Sequence, residues 1–316
     1  MAFFLWSAFR TVDLQSVWRI LLDTDAIWLF GSVALIILAT YPRAFRWRIL
    51  MAPVLTGIPT GKLFVAILIG YAGNNLVPRA GEIAKIWAVD REPARMSGLI
   101  ATVAVERLID LLSVLVMFAG ATYVIRDRLE QVFPWMAGMA TTATGFIVLA
   151  TIILIVISVF GQRFLDQVAR RYPKIADSRI VELARSFLQG TESIRSPAGY
   201  AGIVVWTVLL NVLYAGAMYL PFLAFGFHER YGLGFFDALV ILTIATIGII
   251  IPTPGGTGTY HYFCSRALSG LYDIPLEESV AFATVVHGLI YVTFLVLGGP
   301  GLISLLWNKR RQDQGG

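Results

Sequence analysis

The chain has 316 residues, 57% of them apolar and 14% charged, with a mean hydropathy of +0.74. Soluble domains carry about a quarter charged residues, so this composition excludes a soluble enzyme as well as disordered, collagen-like and coiled-coil chains. A lone cysteine, Cys264, excludes an internal disulfide and a cysteine-based zinc site, and the net charge of +5 reads as Lys and Arg gathered in cytoplasmic loops rather than as a nucleic-acid surface.

In chain order, residues 1–25 do not read as a secretory signal, because Arg10, Asp13, Arg19 and Asp23 interrupt the apolar part. Phe3, Phe4, Trp6, Phe9 and Trp18 beside those charges predict a helix lying in the membrane interface. A spanning helix needs about 20 apolar residues. Residues 26–42 come close to that length. Residues 108–125 qualify if Asp110 is tolerated, and 137–160, 199–227 and 281–307 contain no Asp, Glu, Lys or Arg. Segments 41–62 (Arg43, Arg46, Arg48, Lys62), 78–98 (Arg79, Lys85, Arg91, Arg95) and 161–198, with seven basic residues, are expected on the cytoplasmic side. So is the tail 308–316, with Lys309, Arg310 and Arg311. Within 161–198, Ile180, Leu183, Ala184, Phe187 and Leu188 have helical spacing and predict an amphipathic elbow. The short, balanced segment 126–136 is expected outside.

Two further apolar runs end in helix breakers. Residues 63–77 stop at Asn74-Asn75-Leu76-Val77-Pro78, and 235–251 stop at Pro252-Thr253-Pro254-Gly255-Gly256. With 41–62 and 78–98 on one side, the first run must enter and return. By the same bookkeeping the second does so from the opposite face. Polar backbone at membrane depth survives only inside protein or along a wet cavity, and paired broken segments point to a transport site. The expected fold is an all-α polytopic membrane protein with about five full spans and two oppositely oriented re-entrant helical hairpins. That makes seven to eight membrane segments, inverted-repeat-like, in one domain over 26–307.

Three constellations carry chemistry. In the first, Gly70 and Gly73 allow close helix approach, Asn74 and Asn75 are polar at depth, and Pro78 ends the helix. Arg79 offers a planar fork suited to phosphate, while Glu82 can hold Arg79 or Lys85 or take a proton. In the second, Glu106 and Asp110 share a helix face and Arg107 neighbours Asp110. Ionisable residues within a span are functional by default, although a purely structural ion network has the same signature. In the third, Gly255, Gly256 and Gly258 free the backbone, and Thr257 or Thr259 can cap the next helix, whose amides would suit a lipid phosphate. It lacks the lysine of a nucleotide-binding loop. His261 and His287 sit in apolar runs without a nearby carboxylate, so no metal site is expected.

Asn75-Leu-Val-Pro78-Arg79-Ala-Gly81-Glu82, Glu106-Arg107-Leu-Ile-Asp110 and Pro252-Thr253-Pro-Gly-Gly-Thr-Gly258 occur in that order. Together they resemble the lysylphosphatidylglycerol synthase transmembrane-region family, also called the flippase-like domain family, over roughly residues 25–307. The resemblance implies a lipid translocase in a bacterial inner membrane, with its C-terminus cytoplasmic. It carries over Arg79, Glu82, Glu106, Arg107 and Asp110 as site residues. Many members have a glutamate where His261 stands and often an arginine near His287, so an acid–base pair becomes a histidine pair here. That change leaves the substrate charge open and admits a proton-coupled or pH-gated step. Only nine residues follow residue 307, so lipid aminoacylation by this chain is not expected.

The expected function is movement of an amphipathic lipid with an anionic or phosphate-bearing headgroup between leaflets, without cofactor. Arg79 and the Gly255–Gly258 amides would bind the phosphate. A second copy or a lipid-modifying enzyme are the partner classes that suit it. The rival readings are a membrane transferase using His261 with Glu82 as base, and a non-catalytic membrane subunit that binds an enzyme through the elbow.

Overall fold

A computed structural model describes residues 13–133, 160–172, 197–251 and 253–314, together with residues 4, 6, 142, 145, 146, 149, 153, 156, 181, 184, 185 and 188. Most of the expected span at 137–160, much of the elbow, most of residues 1–12 and Pro252 lie outside them. Among the described residues all regular structure is helical. The helices are α1 (Leu14–Leu22), α2 (Ala26–Met51), α3 (Thr60–Leu76), α4 (Ala80–Val89), α5 (Pro93–Val132), α6 (Pro197–Ala224), α7 (Phe227–Tyr231), α8 (Phe235–Ile250), α9 (Thr259–Tyr272) and α10 (Leu276–Gln314).

Among the described residues three helices are long and apolar enough to cross a membrane: Ala26–Met51, Ala198–Ala224 and Leu276–Asn308. They correspond to the expected spans at 26–42, 199–227 and 281–307. Large apolar side chains such as Phe30, Val65, Val296 and Ile303 point outward from the bundle. The segment 108–125 is the middle of α5, whose backbone kinks at Ile125.

The first span corrects the sequence reading. The helix does not end at residue 42 but runs through Pro42 to Met51, so Arg43 and Arg46 lie on the helix rather than in the loop that follows it. The reason is burial. Ala44, Trp47, Leu50 and Met51 continue the helical apolar period and pack with Leu63, Ile67 and Leu99. Helices α2 and α6 run antiparallel. Near one end the Ser32 hydroxyl donates to the Ala217 carbonyl at 2.6 Å, and near the other Phe45 stacks on Trp206 at 4.6 Å.

Helices α3 and α4 form one hairpin. Pro78 cannot continue a helix, and Arg79 turns the chain with a left-handed backbone (φ 66°). The Asn74 side-chain carbonyl then accepts from the Gly81 amide at 3.0 Å, satisfying a first-turn donor of α4. The two helices touch backbone to backbone, because a Cβ on Gly73 would lie 2.8 Å from the Gly81 Cα. On the other side of α3, α10 runs antiparallel to it. Phe294 stacks on Tyr71 at 4.1 Å, and Gly298 meets the Leu68 carbonyl so closely that no side chain fits.

Helices α8 and α9 form the second hairpin around a short 3-10 turn, Pro254–Gly256. Gly255, Gly256 and Gly258 all have positive φ, the region where L side chains are strained. Neither threonine caps α9. The cap position is Gly258, whose amide donates to His261 Nδ1 at 3.4 Å, while the Thr259 hydroxyl donates back to the Gly256 carbonyl at 3.1 Å.

Gly81→Ala would overlap the Gly70 carbonyl oxygen and must part α3 from α4. It is expected to destabilise by about 1–3 kcal/mol, the usual range for overpacking. Gly120→Ala, which meets open space on α5, should instead be neutral or stabilising by up to about 1 kcal/mol. Thermal unfolding of the two variants in detergent checks the pair.

Candidate functional site

The sequence places four cations and three carboxylates on helices that pack together: Arg43 and Arg46 on α2, Glu82 and Lys85 on α4, and Glu106, Arg107 and Asp110 on α5. Glu106, fully buried, is the hub. Lys85 Nζ reaches it at 2.7 Å, Arg43 at 3.1 Å and Arg46 at 3.7 Å. Asp110 receives Arg43 at 3.1 Å, Arg107 at 3.2 Å and a closer contact from Arg46. Glu82 joins Arg107 at 2.9 Å and Lys85 at 3.6 Å. Arg46 also donates to the Thr207 hydroxyl at 3.1 Å, which ties α6 to the network.

An isolated charge in such surroundings would cost far more than a hydrogen bond returns, so each ion here is held by its partners. Four cations against three carboxylates leave the cluster at +1 when all are ionised. Arg43 Nε and Arg46 Nε are buried without a hydrogen-bond partner among the described residues. Arg43, Lys85, Arg107, Glu82, Asn74 and Tyr71 line a narrow crevice whose open space, about 10 Å³, has room for a single water molecule. Chemically, the arrangement is a net-positive, multidentate donor surface at the edge of a buried network.

The last turn of α3 has two faces. Asn74 turns to the charged cleft, with its Nδ2 3.4 Å from Glu82 Oε1. Asn75 turns to α10, where its Nδ2 donates to the Tyr291 carbonyl at 3.0 Å and its own carbonyl accepts from the Tyr291 hydroxyl at 3.1 Å. Gly255, at the tip of the second hairpin, sits against both. A Cβ there would come 2.7 Å from the Tyr291 ring and 3.1 Å from Asn75 Oδ1. The tips of the two hairpins therefore meet at Asn75, Tyr291 and Gly255.

Beyond that meeting point lies a neutral group. The His261 and His287 rings are 4.9 Å apart, Tyr260 stacks on His287 at 5.0 Å, and the Thr257 hydroxyl is 3.5 Å from His287 Nε2.

Of the residues expected from sequence, Asn74, Glu82, Lys85, Glu106, Arg107 and Asp110 come together in the first group. Thr257, Gly258, His261 and His287 come together in the second, and Asn75 and Gly255 join the two hairpins. Thr253 and Gly256 belong to the second turn, where the Thr253 and Thr259 hydroxyls lie 3.3 Å apart. Arg79 lies apart: it is exposed in the first turn, and among the described residues its guanidinium makes no ion pair with Glu82. Glu82 and His261 fall in different groups. Sequence reading missed Arg43, Arg46, Tyr71, Tyr260 and Tyr291. The signal for the arginines was present as two basic residues at i, i+3 on the same period as Trp47 and Leu50.

Glu106→Gln leaves Lys85, Arg43 and Arg46 without their common counter-ion. It is expected to cost about 3–5 kcal/mol, the range for removing one partner of a buried ion pair. Asp110→Asn, whose side chain is 20% exposed, should cost less. Adding Lys85→Met to Glu106→Gln should recover part of the loss, because the uncompensated charge is removed as well. Unfolding of the single and double variants in detergent measures all three.

No curated protein and no solved structure matches the chain significantly. The family model described as the lysylphosphatidylglycerol synthase TM region matches residues 1–298, and the chain belongs to that family.

Proposed function

We propose that this protein moves a phosphate-bearing amphipathic lipid between the leaflets of its membrane, passively or coupled to an ion. The observation that carries the reading is the net-positive buried network opening on a cleft beside the broken first hairpin. Membership of a lipid-handling membrane family supports it.

On this reading the chain has about five full spans and two hairpins that dip from opposite faces of the membrane, with their tips in contact at Asn75 and Gly255. The headgroup phosphate docks at the mouth of the cleft, where the exposed guanidinium of Arg107 donates to it. Arg79, on the exposed turn, is its first cation, and the Gly255–Gly258 turn is the second polar surface on the path. Lys85 stays with Glu106 and holds the floor of the cleft. The acyl tails remain in the bilayer against the outward apolar faces. The membrane is a bacterial inner membrane and the C-terminus is cytoplasmic.

The test is lipid movement in liposomes that contain the purified protein. Fluorescent lipids with anionic, zwitterionic and aminoacylated headgroups are scored with a membrane-impermeant quencher. Headgroup-dependent movement is expected. Arg107→Gln and Arg79→Ala should slow it by about tenfold or more, as loss of a hydrogen bond to a charged group implies at ~1.5–3 kcal/mol. Absence of movement for every headgroup, with and without a pH or sodium gradient, overturns the reading. A chemically altered lipid in the same vesicles would establish the transferase alternative in its place.

A further inference from the structure

The crevice behind Arg107 is not used by the headgroup reading, which stops at its mouth. We propose that it is the binding site of one monatomic anion of the chloride type, which neutralises the surplus charge of the network in the resting protein.

Two observations point to an anion. The first is an unused donor. Arg43 lines the crevice with a side chain only 7% exposed, and its two terminal nitrogens are committed to Glu106 and Asp110. Its Nε is buried without a hydrogen-bond partner among the described residues, and a buried N–H is expensive to leave unmade. The second is charge. The lining sets Arg43, Lys85 and Arg107, with the neutral donor Asn74, against one carboxylate. That carboxylate, Glu82, is already turned to Arg107 at 2.9 Å and to Lys85 at 3.6 Å. With Arg46, Glu106 and Asp110 included, the cluster stands at +1.

Size selects among anions. The open space of about 10 Å³ admits one water-sized body, so phosphate, sulfate and carboxylate ions stay at the mouth. A water would serve the Arg43 donor but leave the charge unmatched. Chloride serves both. It is somewhat larger than water, and Arg107 and Glu82, the exposed members of the network, can shift outward to admit it.

No other segment supplies the missing negative charge. Helix α6 has no charged residue, and α10 has none between Glu278 and Lys309. The one charge of α3 is Lys62, whose Nζ donates to the Val89 carbonyl. Asp90 and Glu92, before α5, are taken by Arg95. Near the far end of α5, Arg126 and Arg128 balance Asp127 and Glu130. On α8 the one acid, Asp237, accepts the Gly234 amide, and the one charge of α9 is a cation, Arg266. Asp25 and Glu278 lie with Ala224 and Arg230 at the other end of α6, about 25 Å along that helix from Thr207. Outside the described residues, 134–159 carry no charge and 1–12 only Arg10, while 161–198 bring seven cations against four acids.

The anion site does not rest on the lipid reading, but its rivalry with the headgroup does. A phosphate at the mouth supplies the same negative charge beside the same cations, so the arrival of one anion releases the other.

The test is thermal unfolding of the purified full chain in detergent at fixed ionic strength, with sodium gluconate replaced stepwise by sodium chloride. Gluconate is too large for the crevice. The midpoint is expected to rise with chloride, and with bromide, along the saturable curve of a single site. Two variants move the response in opposite directions. Arg107→Gln brings the cluster to zero and should abolish it. Glu82→Gln brings the cluster to +2 and should shift the rise to about tenfold lower chloride. Radiolabelled chloride retained by the parent should come to one ion per chain. The same midpoint in both salts, or a chloride response that both variants leave unchanged, overturns the proposal and leaves a water in the crevice. In liposomes, lipid movement is expected to be faster in gluconate than in chloride, and equal rates refute the rivalry. Chloride stabilisation without lipid movement sustains the anion site and removes the translocase reading. Lipid movement without a chloride response does the reverse.

Discussion

The structure depends on one constraint: Glu106 has no exposure and must be neutralised from within. Its counter-ions come from two other helices, Arg43 and Arg46 on α2 and Lys85 on α4. Each cation then needs further acceptors, which Asp110 and Glu82 supply. Arg107 is drawn in because it sits one turn from Asp110 and within 2.9 Å of Glu82. The network couples the register of the first hairpin to the first span and to α5. Sliding α4 along α3 by one residue would remove Lys85 from Glu106 and strand both charges. That penalty makes a helix of only 10 residues a fixed part of the bundle.

Close backbone packing does the rest. Lys85 reaches Glu106 because α3 and α4 approach at Gly70, Gly73 and Gly81, where side chains would force the helices apart. In an apolar medium such small-residue contacts replace the hydrophobic driving force as the source of helix association. The same device recurs at Gly298 against Leu68, so α3 is held between α4 and α10. Its last turn then has two different neighbours, and Asn74 and Asn75, adjacent in sequence, bond in opposite directions. At that helix end the Tyr291 hydroxyl donates to the Asn75 carbonyl, while the two asparagine side chains serve the neighbours, Asn74 taking the Gly81 amide of α4 and Asn75 donating to the Tyr291 carbonyl of α10.

How much of this was legible in the sequence follows from the kind of signal. The two hairpins were legible because Pro78 and the Pro254–Gly256 turn break apolar runs too short to end by chance in asparagine or glycine. The acidic half of the site was legible because Glu106 and Asp110 interrupt an apolar helix. The basic half was not. Arg43 and Arg46 follow Pro42 at the end of an apolar run, the pattern of a basic loop beyond a span. Their partners lie 63 and 64 residues away in sequence, beyond any local pattern. The cap of α9 was misread for a related reason. Threonine is the better local cap, but the imidazole of His261 takes the Gly258 amide because His287 and Tyr260 hold the histidines there.

The network also says where an anion would compete, on the proposed reading. Lys85 and Glu106 are both buried, and separating them leaves two uncompensated ions. Arg107 and Glu82 are 43% and 22% exposed, so their attraction is weakened by solvent and their separation costs least. A phosphate arriving at the mouth of the cleft meets Arg107 there and can take the place of Glu82 on its guanidinium. Glu82 retains Lys85 and the Asn74 amide, so the carboxylate is not stranded by the exchange. The surplus cation of the cluster is thereby matched without disturbing the hub. A site arranged in this way binds an anion at its rim while its interior stays paired, which is what a headgroup in transit requires: enough attraction to enter and no buried bond that must break before it leaves.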